Sequence, residues 1–238
     1  MAGRTALLGP QRCLRSPAGR AELKRKPLQG SSRVSPPNYH YLVPRLDAGQ
    51  KFSLTSNPIL AQFEEASAIN LRTRPVLLGP ISFLLLAKMT DGSDALALLD
   101  RLVPIYGKIL GALKAAGAAW VQIDEPVLAL DLSERTRQAF TEVYGALNAT
   151  PAPEILLTSY FGPLGDNLAT AASLPVAGLH VDLVRGGGEL DAVLRAMPED
   201  RWLSLGIVDG RNIWRTDLRS ALVTLRQVAS ARGKRRIM

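Results

Sequence analysis

The chain has 238 residues, 47% of them hydrophobic and 21% charged, which is enough apolar mass for one large core. No apolar run reaches the roughly 18 residues that a bilayer-spanning helix needs, because even Val76–Ala87 is broken by Gly79, Pro80 and Ser82. The net charge of +8 belongs to the ends: residues 1–33 hold eight Lys or Arg against one Glu, and residues 226–238 hold five against no acid. The 29 basic and 21 acidic residues of the whole thus reduce to 16 and 20 in the middle.

Basic ends without aromatics interleaved on the folded body argue against a nucleic-acid surface, and no membrane partner is expected. Cys13, the one cysteine, excludes an internal disulfide and a zinc cage built from cysteines, as suits a reducing cytoplasm. Residues 1–35 and 231–238 are therefore expected as basic tails around a body at 36–230, and no convincing strand is read in 1–35 or 232–238.

Tyr39–Val43 reads as an early strand. From about residue 70 the chain repeats one pattern: a short apolar run, a polar or Gly/Pro break, then an amphipathic segment. The runs are Pro75–Gly79, Ala119–Asp124, Glu154–Tyr160, Gly178–Val184 and Trp202–Val208. Between the first two, Asp94–Ala116 has Leu99, Leu102, Val103, Tyr106, Ile109, Leu110 and Leu113 on one helical face. Pro104 should kink or restart that helix, and Gly117 is placed to end it. Helical patterns follow at Glu134–Leu147, Leu164–Ser173, Leu190–Met197 and Leu218–Ala231. Strands alternating with such helices make right-handed βαβ units and a parallel sheet, so the fold class is α/β.

Polar residues gather at the carboxyl end of each strand: Gly79–Pro80, Asp124–Pro126, Thr158–Phe161, His180 with Asp182, and Asp209–Asn212. A (βα)8 barrel builds its site from several strand ends at once, whereas a doubly wound sheet concentrates it at one switch point. No glycine-rich phosphate loop follows any strand. The expectation is an incomplete TIM-type (βα)8 barrel with about six of eight strands recognisable.

Several rim residues carry chemistry. Asp124 and Glu125 are adjacent carboxylates, but neighbouring strand residues point to opposite faces, so the two cannot converge on one bond. Fixing the strand-end loop is the simpler role for Asp124. His180 and Asp182 are two apart and share a face, as a proton-relay pair or as a hydrogen-bonded interior pair. Arg211, beside Asn212, is placed to meet an anionic ligand or to pair with Asp182 or Asp209. Tyr39, Tyr41 and Trp120 suit packing or stacking on a flat ring.

Six segments in order, Asn38–Pro44 (NYHYLVP), Pro75–Pro80 (PVLLGP), Trp120–Pro126 (WVQIDEP), Leu157–Phe161 (LTSYF), Leu179–Val184 (LHVDLV) and Asp209–Trp214 (DGRNIW), together resemble the amino-terminal domain of cobalamin-independent methionine synthase. The resemblance implies a family reaction: methyl transfer from polyglutamylated 5-methyltetrahydrofolate to homocysteine. A fainter likeness at Arg20–Arg25 implies that Lys24 helps hold the folate polyglutamate tail, where a flexible ammonium meets several carboxylates. The family's zinc ligands belong to a carboxyl-terminal barrel, so no cofactor is expected in this chain. The partners implied are the folate polyglutamate and a separately encoded catalytic half. Two other readings stay open: a degenerate remnant, and a free-standing barrel enzyme using the Asp124 and His180 rim.

Overall fold

Five apolar runs become the strands of one parallel sheet, because each is buried on one side by the helix that follows it. The computed structural model describes residues 5–6, 43–233 and 236–238. Lys24, Cys13, His40 and residues 39–42 of the expected early strand lie outside these, and Val43 belongs to no strand. In chain order the elements are β1 (Thr5–Ala6), β2 (Arg45–Leu46), β3 (Lys51–Phe52), α1 (Pro58–Ala68), β4 (Val76–Leu78), α2 (Pro80–Leu85), β5 (Lys88–Met89), α3 (Leu99–Ala115), β6 (Trp120–Asp124), α4 (Glu134–Asn148), β7 (Glu154–Thr158), α5 (Leu168–Ser173), β8 (Gly178–Asp182), α6 (Leu190–Ala196), β9 (Trp202–Gly206) and α7 (Leu218–Arg232).

The sheet order is β4-β6-β7-β8-β9, all parallel. Alternation divides its residues between two faces, with Leu156 the buried apolar exception on the more polar one. Leu77, Val121, Ile123, Ile155, Leu157, Leu179, Val181, Leu203 and Leu205 face the helices and are buried with Leu102, Leu110, Leu113, Phe140 and Val193 in one continuous core. The opposite face carries Gln122, Asp124, Thr158, His180, Asp182 and Ser204, which the strand register brings side by side.

That second face is concave. Trp120 on β6 and Trp202 on β9 meet edge to face with ring centroids 6.0 Å apart, although β7 and β8 lie between their strands. On a flat sheet three strand spacings of about 4.8 Å would hold the backbones roughly 14 Å apart. The sheet curls as a barrel wall does, and among the described residues it does not close through a full set of strands.

Two pairings fall where only tails were expected. Thr5–Ala6 pairs in parallel with β3, and Ile237 bridges Leu203 on the free edge of β9. The second is a backbone effect that side-chain pattern does not encode: an edge strand offers unpaired N–H and C=O groups to any nearby chain. Arg74, just before β4, reaches the Met238 sulfur at 3.9 Å, so this segment spans the opening between the two sheet edges. α1 and α2 also went unforeseen. Asn57 caps α1, accepting from the Leu60 N–H, and Pro58 opens it; α2 is six residues long, too short for its periodicity to show. Pro104 sits inside α3 without ending it, and Gly117 closes the turn behind that helix at φ 89°.

Candidate functional site

The site is the polar concave face together with the loops at the strand carboxyl ends. Asp124 ends β6 and points into the concavity, where Gln122 Nε2 donates to its Oδ1 at 2.8 Å and the Tyr160 hydroxyl to its Oδ2 at 3.3 Å. Burial raises its pKa, and these hydrogen bonds and the Arg74 charge oppose the rise. Its neighbour Glu125 points the other way and is fully buried. It accepts from the Ser82 N–H at 2.7 Å, the Ile81 N–H at 3.3 Å and the Tyr144 hydroxyl at 3.2 Å. Glu125 therefore ties the start of α2 to β6, and the two carboxylates do not converge. Gly79 is required by this arrangement, since a Cβ there would lie 2.1 Å from the Glu125 carboxyl carbon.

His180 sits half-buried on β8, its Nδ1 paired with Ser204 Oγ at 2.8 Å. Burial lowers its pKa, Asp182 opposing and Arg74 adding to the effect, so the ring is neutral at neutral pH. Between Asp124 and His180 in the register stands Thr158, 4% exposed, whose Oγ1 has no hydrogen-bond partner.

Asp182 shares the face of His180 but has other partners, which corrects the expected pair. Its Oδ1 accepts from the N–H groups of Val184 and Arg185 at 3.0 and 3.1 Å, and its Oδ2 from the Phe161 N–H at 3.0 Å. The Arg185 guanidinium stands 3.5 Å from Asp182 and 3.9 Å from Asp209. An aspartate at a strand end is drawn to the unpaired N–H groups of the turn it begins, and these saturate it before the imidazole can.

Arg211, expected to meet an anionic ligand or to pair with Asp182 or Asp209, has its guanidinium 5.9 Å above the Phe161 ring; its backbone N–H donates to Asp209 Oδ1 at 3.0 Å, and that bond, with the Arg211 charge among the lesser causes, lowers the Asp209 pKa. Phe161 itself is half-exposed and held at φ 82°, a left-handed conformation unusual for an aromatic residue. It meets Tyr160 edge to face at 4.6 Å. The rim thus combines two arginines, two aromatic rings and a strained backbone. Arg185 and Ser204 escaped the sequence reading, which placed Phe161 at a strand end without assigning it a part in the site. The three-residue step from Asp182 pointed to Arg185 and the alternation of β9 to Ser204, but nothing local signals a positive φ at a phenylalanine.

These residues do not make a zinc cage. Among the described residues no three His, Cys, Asp or Glu side chains gather as a metal would require, and the His180 Nδ1 and both Asp182 oxygens are already engaged.

The chain matches the family model "Cobalamin-independent synthase, N-terminal domain" over residues 33–233. It is 61% identical over 196 residues to the 5-methyltetrahydropteroyltriglutamate–homocysteine methyltransferase of Acidiphilium cryptum, covering 82% of this chain and 26% of that enzyme. The corresponding Rhodopseudomonas palustris enzyme is 51% identical over 213 residues, covering 89% of this chain and 27% of its own length. The chain therefore spans about a quarter of the curated relatives it matches. A B12-independent methionine synthase from Shewanella, in complex with selenomethionine, superposes with a TM-score of 0.65 at 14% identity, over 78% of this chain and 59% of that one. A methyltransferase from Methanosarcina mazei gives 0.56 at 13%, over 73% and 55%. At such identities these two likenesses speak for the fold alone, an α/β barrel wall, while the domain match and the closer relatives speak for kinship: this chain belongs to the cobalamin-independent methionine synthase family, within its amino-terminal domain.

Proposed function

We propose that this chain supplies the folate-polyglutamate-binding and scaffolding part of a cobalamin-independent methionine synthase, and that methyl transfer to homocysteine requires a second polypeptide carrying the remainder of the enzyme. The observation that carries this reading is the match to the amino-terminal domain model over 33–233, set beside a span of only about a quarter of the relatives' length. The reaction needs a thiolate; zinc, when bound, would supply it by holding homocysteine as its anion, and the second polypeptide is the place for those ligands. The cytoplasm is the proposed setting.

The rim residues are proposed to bind, not to react. Arg211, beside the half-exposed Phe161, offers a cation and a ring to an anionic, aromatic ligand. Lys24 adds an ammonium for the glutamate carboxylates. Asp124 and His180, with the unpaired Thr158 hydroxyl between them, line the concave floor, and Asp182 holds the loop bearing Phe161 in place through its backbone N–H. The proposed organisation remains a body at 36–230 between basic ends at 1–35 and 231–238.

The test is a methyl-transfer assay with 5-methyltetrahydrofolate triglutamate and homocysteine. The purified chain alone should be inactive and should bind the triglutamate more tightly than the monoglutamate in calorimetry. Addition of the zinc-loaded remainder of the Acidiphilium enzyme should restore turnover. Turnover by the chain alone, or none in the mixture, refutes the reading.

A further inference from the structure

On the concave face the strand register sets four side chains in one row: Asp124 on β6, Thr158 on β7, His180 on β8 and Ser204 on β9. The imidazole leans along this row toward β9. Its Nδ1 lies 2.8 Å from Ser204 Oγ, and its other edge lies over Gly206, where a Cβ would stand 3.0 Å from Nε2 and 3.2 Å from Cε1. Gly206 therefore leaves the ring the space it occupies. Only one placement of the ring proton satisfies both side chains. Ser204 is 8% exposed, and among the described residues its hydroxyl has a single side-chain partner, the Nδ1 of His180. A proton on Nδ1 would donate to Ser204 Oγ and leave the serine proton buried without an acceptor, at the cost of any unsatisfied buried donor. When Ser204 donates instead, Nδ1 accepts and the ring proton is on Nε2. Asp182 does not impose the other tautomer, because three backbone N–H groups and Arg185 already engage it. Among the described residues Nε2 has no hydrogen-bond partner.

We infer, on the folate-binding reading given above, that Ser204 is a positioning residue: it holds His180 as the Nε2–H tautomer and presents that N–H to the concave face as an uncharged donor to a carbonyl oxygen of the bound folate. Burial keeps the ring neutral, so it offers a hydrogen bond and no charge. Two carboxylates share its face, Asp124 in the same row and Asp182 two residues along β8, and the Arg74 charge also reaches the ring. A ligand carboxylate at Nε2 would meet the like charge of the two aspartates. The uncharged carbonyls of the pterin and of the glutamyl amides would not.

The full chain holds two histidines, His40 and His180, so nitrogen NMR of the labelled imidazoles is simple and His180→Gln assigns it. At neutral pH the spectrum should show His180 as the Nε2–H tautomer, and 5-methyltetrahydrofolate triglutamate should shift its Nε2 resonance. Ser204→Ala should give a mixture of tautomers and weaken binding in calorimetry roughly three- to tenfold, the worth of one neutral hydrogen bond. Ser204→Thr should restore both. His180→Gln keeps an amide N–H near the place of Nε2 and should bind more tightly than His180→Ala. Equal losses with the monoglutamate place the carbonyl in the pterin–benzoyl part, and losses confined to the triglutamate place it among the glutamyl amides; either supports the assignment. The wild-type tautomer is read without any substitution, so a misfolded variant does not shield it. An Nδ1–H tautomer in the wild type, or a Ser204→Ala chain unchanged in tautomer and affinity, overturns the inference, while triglutamate binding by the wild type keeps the functional reading. A ligand-induced rise in the His180 titration midpoint means a carboxylate at Nε2 and overturns it as well. Absence of triglutamate binding by the wild type removes both.

Discussion

Glu125 makes stability pH-dependent in a direction opposite to that of an ordinary surface carboxylate. Its burial raises the pKa from 4.5 to about 7, against the lowering effect of the bonds from Ser82, Ile81 and Tyr144. Because the folded pKa lies above the unfolded one, the native state binds the extra proton between these values. The stability this confers is complete below about pH 4.5 and is lost as pH rises through about 7. The shift corresponds to a loss on the order of 3 kcal/mol across that window. Glu125→Gln cannot ionise, so whatever constant cost it brings by altering the acceptors for Ile81 and Ser82, it removes this slope. Urea denaturation of both proteins from pH 4.5 to 8 provides the comparison: the difference in unfolding free energy, variant minus wild type, should rise with pH by about that amount and flatten above pH 8. A difference independent of pH would mean that Glu125 is ionised throughout, and that the N–H groups of α2 outweigh desolvation.

Gly79→Ala should destabilise by about 1–3 kcal/mol in the same denaturation assay, because its Cβ meets the Glu125 carboxyl at 2.1 Å and that buried group cannot move aside without giving up its bonds from Ile81, Ser82 and Tyr144. Arg232→Met should cost about 1–3 kcal/mol, since the guanidinium satisfies the carbonyls of Met197, Pro198 and Arg201 and fastens the end of α7; a melt unchanged within 1 °C would show that water replaces it. Asp182→Ala frees three backbone N–H groups and Arg185, and should lower stability by about 2–4 kcal/mol while raising amide exchange at Phe161 and Val184. Asp124→Asn and His180→Ala should weaken triglutamate binding with small effects on the melt; a large loss of stability with unchanged binding would make both residues structural.

The strands of the curved sheet and the larger helices could be read from residue order because burial has a local period. Val121, Ile123, Leu157, Leu179 and Leu203 repeat every second residue within their strands, and Leu99, Leu102, Ile109 and Leu113 keep to one helical face. The opposite orientations of Asp124 and Glu125 follow from the same alternation. Family membership was equally legible, since it rests on the identity and order of motifs and not on their contacts.

The partners of the polar groups were decided only by the assembled fold. His180 and Asp182 stand two residues apart, yet one pairs with Ser204 on the next strand and the other with the turn that brings in Phe161 and Arg185. Arg236–Met238 found β9 through backbone groups that every residue carries, and the curl of the sheet brought Trp120 to Trp202 across the two strands between them. Hydrophobic burial is nearly additive along the chain and leaves its mark in pattern. A hydrogen bond depends on the position and direction of two groups that are often distant in sequence, and for these the chain had first to be folded.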